Sequence, residues 1–313
     1  MHSLAGIYAA AVTPLKPDYS LDLDALPLLL DFLAGRGCHG ALLCGTTGEG
    51  PSLSAKERTT LWRAAAEWRE SHPSTGSPPG DFAGQRPDFR LLAGTGSPSL
   101  SETIELNRTA FELGFEAVVT LPPYYYRKAT DDGLFSWFEQ VMHRSVPADG
   151  FLFGYHFPGV AGIGFSVPLL AQLKESFPAQ FAGIKDSSHD PDLARDLGDM
   201  FADDLLVLTG TDDYLTLALD SHAGGCITAP ANLLSPGLRA IWDARQRGDE
   251  TASLQGQVSQ QRHLLEQYPP FPPVLKALLH RLHGLPRWSV RPPLMEVPED
   301  VEYRLATEMQ ILA

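Results

Sequence analysis

The chain has 313 residues, 43% of them hydrophobic, which is enough for a substantial core in one large barrel or in two ordinary domains. Its 38 acidic and 24 basic residues give a formal net charge of −14, which argues against a nucleic acid or an acidic membrane as partner. The N-terminus has no signal-sequence pattern and no run is apolar enough to span a membrane. The three cysteines suggest reduced thiols, so we expect a cytoplasmic protein.

Short apolar runs alternate along the chain with longer stretches of helical period. The predicted strands cover 6–12, 40–44, 89–94, 116–121, 150–155, 181–185, 205–209 and 225–229. The predicted helices cover 21–35, 54–70, 99–113, 131–144, 166–177, 190–200, about 214–221 and 235–248. Ser54 is expected to cap the second helix, with Glu57 completing a capping box.

Eight strands, each followed by a helix, predict parallel strands with right-handed crossovers. Their number and length fit a closed (β/α)8 TIM barrel over residues 1–248. Residues 249–313 predict a C-terminal helical extension with helices near 250–267, 272–283 and 299–311. Residues 71–88 are rich in Pro, Gly and Ser and predict a surface loop. An open, doubly wound sheet is the alternative, although no G-x-G-x-x-G follows the first strand.

The unusual polar residues follow the strands, and in such a barrel the active site lies at the carboxyl ends of the strands. This placement gathers them at one face of the molecule. They are Thr46-Thr47-Gly48 after strand 2, Tyr124-Tyr125-Tyr126 after strand 4, Tyr155 in strand 5, Lys185 in strand 6, Gly210-Thr211-Asp212 after strand 7, and Ile227-Thr228 in strand 8.

Lys185 ends an apolar run, Phe181-Ala-Gly-Ile-Lys185, that reads as a buried strand. Burial disfavours an ammonium ion and lowers its pKa, which favours the neutral amine needed to attack a carbonyl carbon. The alternative is a lysine whose side chain extends from the strand end into solvent.

Tyr155 and the turn at residues 45–50 can each be interpreted in two ways. Tyr155 is either a core aromatic residue or a proton carrier facing the lysine. The turn 45–50 is either an ordinary Gly-rich turn or a carboxylate site, since its backbone N–H groups and hydroxyls are suitable donors. The three adjacent tyrosines cannot all point inward, so at least one is expected at the surface or at an interface.

Four motifs together resemble the N-acetylneuraminate lyase / dihydrodipicolinate synthase family in order and spacing, and the resemblance covers nearly the whole chain. This resemblance implies a class I, Schiff-base-forming pyruvate aldolase or related lyase on a (β/α)8 barrel, commonly a homotetramer, with no cofactor. The motifs are Gly45-Thr46-Thr47-Gly48-Glu49, Pro123-Tyr124-Tyr125, Tyr155-x-x-Pro158-x-x-x-Gly162 and Gly183-Ile184-Lys185-Asp186.

Carried over to this chain, the resemblance implies that Lys185 forms the imine with pyruvate and that Tyr155 is the general acid and base. Thr46 and Thr47 match the pair that holds the pyruvate carboxylate and relays protons. Tyr125 matches a tyrosine that reaches the site of a neighbouring subunit. The remaining predicted substrate-binding positions are Gly48, Gly210, Asp212 and Ile227.

Two departures bear on the substrate. Synthases of this family have an arginine five residues after the tyrosine, where this chain has Val160, and His156 replaces the usual asparagine. The other motifs are most similar to those of 2-keto-3-deoxygluconate-type aldolases.

We therefore expect an aldolase that joins pyruvate to an aldehyde, or cleaves a 2-keto-3-deoxy sugar acid. The alternatives are a dihydrodipicolinate synthase, a keto-deoxy-acid dehydratase, or a catalytically silent barrel that binds a keto acid. The histidines show no ligand spacing, so no metal is predicted.

Overall fold

The computed structural model describes residues 2–72 and 89–312. Ser71 and His72 belong to these ranges, and the rest of the predicted loop at 71–88 lies outside the described residues.

Eight parallel strands form a closed barrel in which neighbours in the sheet are neighbours in the chain. Closure is made by β1 and β8, where Gly6 pairs with Gly225 and Ala9 with Thr228. The (β/α)8 prediction is confirmed and the open-sheet alternative is excluded. The strands are β1 Gly6–Ala10, β2 Gly40–Leu43, β3 Arg90–Gly94, β4 Ala117–Thr120, β5 Phe151–His156, β6 Phe181–Asp186, β7 Leu206–Thr209 and β8 Gly225–Thr228.

The described ranges contain twelve α-helices, nine of them within the barrel and three after it. Two short 3₁₀ turns, Gly50–Ser52 and Asp212–Tyr214, lie in the loops after β2 and β7. The helices are α1 Leu26–Gly35, α2 Ala55–Ser71, α3 Leu100–Glu112, α4 Asp131–Ser145, α5 Pro158–Ala161, α6 Val167–Ser176, α7 Pro191–Phe201, α8 Leu215–Asp220, α9 Ala231–Arg247, α10 Ala252–Glu266, α11 Phe271–His283 and α12 Glu299–Leu312.

Side-chain caps fix the start of several barrel helices. The capping box predicted for α2 is present: the Ser54 hydroxyl accepts a hydrogen bond from Glu57 N, and the Glu57 carboxylate accepts one from Ser54 N at 2.9 Å. The side chains of Ser99, Ser166 and Asp190 cap α3, α6 and α7 by accepting hydrogen bonds from backbone N–H groups of the first turn, without a reciprocal capping box.

Two helices begin elsewhere than predicted. Helix α1 begins at Leu26 rather than 21, because Leu21 forms an isolated antiparallel bridge with Leu15. Helix α9 begins at Ala231 rather than 235. The Thr228 hydroxyl accepts from Ala231 N at 3.2 Å, and the Asn232 side chain donates to Ala10 O at 2.8 Å. These bonds continue the helix to the end of β8 and leave Ser235 inside it.

Side-chain alternation along the strands separates two apolar layers. One layer fills the barrel interior and includes Tyr8, Leu42, Phe153 and Leu208, and the other packs between the strands and the helices. Because Tyr155 is two residues beyond Phe153, it belongs to the interior layer. The alternation therefore points the end of β5 into the barrel mouth.

The three terminal helices pack on the barrel rather than apart from it. Helix α10 lies against α9 and against the Asp212–Tyr214 turn, and α11 lies against α9 and α12. The extension thereby reaches the end of the barrel at which the strands finish. Across the described residues, no helix combines the length and apolar character needed to cross a membrane.

Candidate active site

A pocket of about 390 Å³ opens at the carboxyl ends of the strands. Residues from the ends of β2, β5, β6, β7 and β8 line its inner part, and residues of α10 and α11 line its outer part. The pocket therefore lies where the fold predicts chemistry.

Lys185 and Tyr155 face each other at the base of this pocket. They are paired in register on the neighbouring strands β6 and β5. The Lys185 Nζ lies 4.0 Å from the centroid of the Tyr155 ring, and the two residues are 3% and 5% exposed. Among the described residues the amine has no hydrogen-bond or ion-pair partner, which leaves it accessible to a ligand in the pocket.

Thr46 and Thr47 lie beside this pair in the loop after β2. Within the described part of the chain, neither hydroxyl has a hydrogen-bond partner, which leaves both available to a carboxylate. Two backbone carbonyls of this loop accept hydrogen bonds from side chains outside the pocket. Gly48 O accepts from the Thr13 hydroxyl at 2.6 Å, and Gly50 O accepts from the Arg58 guanidinium at 2.7 Å.

Close backbone contact shapes the same loop. A Cβ at Gly50 would lie 2.0 Å from the carbonyl oxygen of Cys44, so any larger residue would force the loop open. Glu49 adopts a left-handed conformation with φ of 54°, which turns its side chain away from the pocket into the protein. The conformation of the loop therefore depends on its own residues Gly50 and Glu49 as well as on the side chains that hydrogen-bond to it.

Glu49 is a buried carboxylate held by the C-terminal extension. Its Oε1 accepts from Lys276 Nζ at 2.5 Å, and its Oε2 accepts from Arg291 N at 2.8 Å. The lysine also donates to Ser289 O at 2.7 Å. Burial lowers the pKa of Lys276, whereas the Glu49 carboxylate opposes that shift. This ion pair fastens the Thr46-Thr47 loop to helix α11.

The opposite wall comes from β6, β7 and β8. Ser187 directly follows β6, Gly210 directly follows β7, and Ile227 lies in β8. A Cβ at Gly210 would lie 1.9 Å from the Ser187 oxygen, so glycine is required to keep that hydroxyl at the wall.

A cation with two carboxylates stands at the outer end of the pocket. Arg262 of α10 pairs with Asp212 and, through its Nε at 2.8 Å, with Glu266. Burial raises the pKa of Asp212 against the attraction of the guanidinium. Burial acts to lower the pKa of Arg262, but the two carboxylates outweigh it and raise that pKa. The guanidinium charge is thus neutralised by the protein itself.

The rest of the outer pocket is largely apolar. Phe157 and Val160 follow β5, and Phe271 begins α11. His156, the other departure noted in the sequence, does not line the pocket. Its Nδ1 accepts a hydrogen bond from Phe165 N at 2.9 Å, and burial lowers its pKa, although the Asp186 carboxylate opposes this.

The pocket brings together six of the nine site residues predicted from the sequence, Lys185, Tyr155, Thr46, Thr47, Gly210 and Ile227. It does not bring in the other three. Asp212 is fully buried under Arg262 and therefore cannot touch a ligand in this arrangement. Gly48 turns its carbonyl to Thr13, and the Tyr125 side chain is 77% exposed outside the pocket.

Sequence reasoning missed the outer wall from α10 and α11. Arg262 and Glu266 stand four residues apart, a spacing typical of an exposed helical ion pair, so nothing in the sequence distinguishes them. The prolines at 269–273 were the available signal, because they return the chain towards the barrel mouth and place Phe271 in the pocket.

The chain is similar over nearly its whole length to proteins of one known family. A model described as the Dihydrodipicolinate synthetase family matches residues 3–72 and 81–312. An uncharacterized DapA-like lyase of Chloroflexus aurantiacus is 34% identical over 310 residues, which covers 98% of this chain and 97% of that protein. A 4-hydroxy-tetrahydrodipicolinate synthase of Sorangium cellulosum is 33% identical over 312 residues, with 99% and 96% covered.

Among solved structures, the chain is similar to YagE, a prophage protein of E. coli K12 crystallised in complex with pyruvate. The TM-score is 0.87 at 27% identity, and 99% of each chain is covered. The similarity therefore extends over the barrel and the terminal helices alike.

Proposed function

Because the chain belongs to the dihydrodipicolinate synthetase family, whose members are class I lyases and aldolases with a Schiff-base lysine, we propose that Lys185 forms that imine with pyruvate. The main support is the Lys185–Tyr155 arrangement: a buried amine at a strand end, 4.0 Å from the centre of a tyrosine ring in the same pocket. We assign proton transfer to Tyr155, and binding of the pyruvate carboxylate to Thr46 and Thr47.

The reaction follows from the chemistry of the imine. The neutral amine attacks the keto carbon of pyruvate, and loss of water gives a protonated imine that acts as an electron sink. Loss of a proton from the adjacent methyl carbon gives an enamine, which attacks the aldehyde carbon and forms the new carbon–carbon bond. Tyr155 supplies the proton that the aldehyde oxygen needs. Hydrolysis of the imine releases a 2-keto-3-deoxy acid, and cleavage runs these steps backwards.

We propose a 2-keto-3-deoxy sugar acid as the substrate of cleavage. The outer pocket offers hydrogen-bonding groups for hydroxyls in Ser187, His189 and Glu266. The names of relatives favour a second candidate, condensation of pyruvate with aspartate semialdehyde, which the Sorangium cellulosum protein's name implies. That reaction has less support in the pocket, where Val160 replaces a cation.

Reduction of the imine tests the assignment. Incubation with pyruvate and borohydride should attach one reduced pyruvate to Lys185, as read by mass spectrometry of the digested chain. Pyruvate release from 2-keto-3-deoxygluconate should then exceed product formation from aspartate semialdehyde. Pyruvate binding with neither an adduct nor turnover would instead identify a silent binding barrel, and an adduct on another lysine would refute the assignment.

We also propose that the protein is a homotetramer in which Tyr125 completes the pocket of a neighbouring copy. The exposed Tyr125 and Tyr126 rings pack edge to face, with centroids 5.4 Å apart, outside the pocket of their own chain. Sedimentation equilibrium should give four chains per particle. A fully active monomer would contradict both the assembly and the role of Tyr125.

A further inference from the structure

We propose that Glu266 selects the aldehyde, accepting hydrogen bonds from hydroxyl groups at the outer end of the substrate and excluding substrates that carry a carboxylate there. This inference rests on the proposed function, since it concerns the second substrate of that same pocket. The aldehydes selected in this way are neutral and hydroxylated, and the residue that selects them lies on helix α10.

The described residues that line the pocket leave no arginine or lysine free for a second carboxylate, because Lys185 is assigned to the imine. Arg262 is the one arginine among the described residues that line the pocket, and it is 3% exposed. Its Nη1 donates to Asp212, while its Nε and Nη2 both reach Glu266 Oε1 at 2.8 Å. An acidic aldehyde would have to displace one of these buried contacts to bind the guanidinium.

The net charge at this outer end of the pocket is negative. Two carboxylates surround one guanidinium, which leaves this end of the pocket with a negative charge on Glu266, whose side chain is 40% exposed. A carboxylate placed beside it would meet a like charge in a partly dry site, where such pairs are costly. Val160 at the mouth offers no compensating charge.

Glu266 also keeps one carboxylate oxygen available to a ligand. Its Oε1 is occupied by Arg262, whereas its Oε2 has no hydrogen-bond partner in the described ranges. A carboxylate oxygen accepts hydrogen bonds and cannot donate them, so its natural partner is a hydroxyl. Phe157 and Phe271 beside it provide apolar surface for the carbon skeleton.

The test is condensation of pyruvate with three aldehydes of similar size: glyceraldehyde, propanal and succinic semialdehyde. The wild-type protein should prefer glyceraldehyde. The variant Glu266→Gln removes the charge and keeps one carbonyl oxygen for Arg262. Its amide NH2 can still donate to a substrate hydroxyl, which accepts hydrogen bonds as well as donating them. We expect it to raise kcat/KM for succinic semialdehyde about 10- to 100-fold and to change kcat/KM for glyceraldehyde less than about threefold.

A second variant and a control complete the design. Glu266→Leu should lose preference for glyceraldehyde over propanal, because the acceptor is gone. Glu250→Gln removes an equal charge from an exposed residue just before α10, outside the pocket, and should change none of the three rates. Thermal melting of each variant verifies that it folds.

Failure of this inference is distinguishable from failure of the proposed function. Borohydride trapping with pyruvate is run on every variant, because imine formation needs Lys185 and not Glu266. If the adduct forms and Glu266→Gln leaves the ranking of the three aldehydes unchanged, the selection by Glu266 is refuted while the imine mechanism stands. Wild-type preference for succinic semialdehyde would refute it as well.

Discussion

Replacement of Lys185 by methionine is expected to lower pyruvate-dependent turnover by about 10⁴-fold or more, because Lys185 is the one lysine among the described residues that line the pocket and the proposed imine needs its amine. Methionine has a similar length and suits the apolar interior around it, which includes Leu208 and Ile227. The variant should therefore fold with little change in melting temperature. The measurements are kcat for pyruvate release and the mass of the borohydride-treated protein.

The matched control is Lys56→Met, which removes an exposed lysine from helix α2 and should retain both activity and the adduct. Lys276 provides an internal comparison, since it is a second buried lysine but is already bonded to Glu49 and Ser289. Full turnover in Lys185→Met would contradict the proposed chemistry. So would a wild-type protein in which the adduct is found on Lys276 instead of Lys185.

Replacement of Tyr155 by phenylalanine is expected to lower kcat by about 10²- to 10⁴-fold, the usual contribution of a positioned proton carrier. The ring would remain against Lys185, so trapping of pyruvate should survive while turnover is lost. The measurement is therefore a comparison of kcat with the yield of the borohydride adduct in the same preparation.

Tyr8 supplies the control for the loss of a buried phenol oxygen. It belongs to the same interior layer, but its hydroxyl donates to Leu4 O at 2.9 Å and accepts from the Arg90 guanidinium at 3.0 Å, away from the pocket. Tyr8→Phe should reduce stability by about 2–4 kcal/mol, the typical net value of one neutral and one charged hydrogen bond, and leave kcat unchanged. Equal kcat values for Tyr155→Phe and the wild type would show that Tyr155 is a core aromatic residue without a role in proton transfer.

Local signals in the sequence were sufficient to predict the barrel. The period of apolar residues and caps such as Ser54 with Glu57 act within a few residues, so they are visible in the chain itself. The start of α9 was not predictable in this way. It depends on a hydrogen bond from Asn232 to Ala10 O, across a separation of 222 residues. Such a long-range contact does not change the spacing of apolar residues along the chain, so it cannot be recognised in the sequence.

The same distinction applies to the pocket. Parallel pairing implies that strand ends meet, so it predicts Lys185 near Tyr155, and the two residues are paired in register. Asp212 was assigned to the substrate for the same reason, but Arg262, fifty residues later, covers it with a buried ion pair. The extension lies outside the strand–helix alternation, so its part in the pocket could not be inferred from that pattern.

The Glu49–Lys276 pair has a consequence for the order of events during synthesis. Chains fold from the N-terminus as they emerge, at about 5–20 residues per second, so strands of the barrel can assemble before the extension exists. Until Lys276 and the N–H of Arg291 appear, the Glu49 carboxylate lacks both of these partners and favours hydration over burial. The loop after β2 would therefore reach the conformation it has in the pocket only once residue 291 has been synthesised.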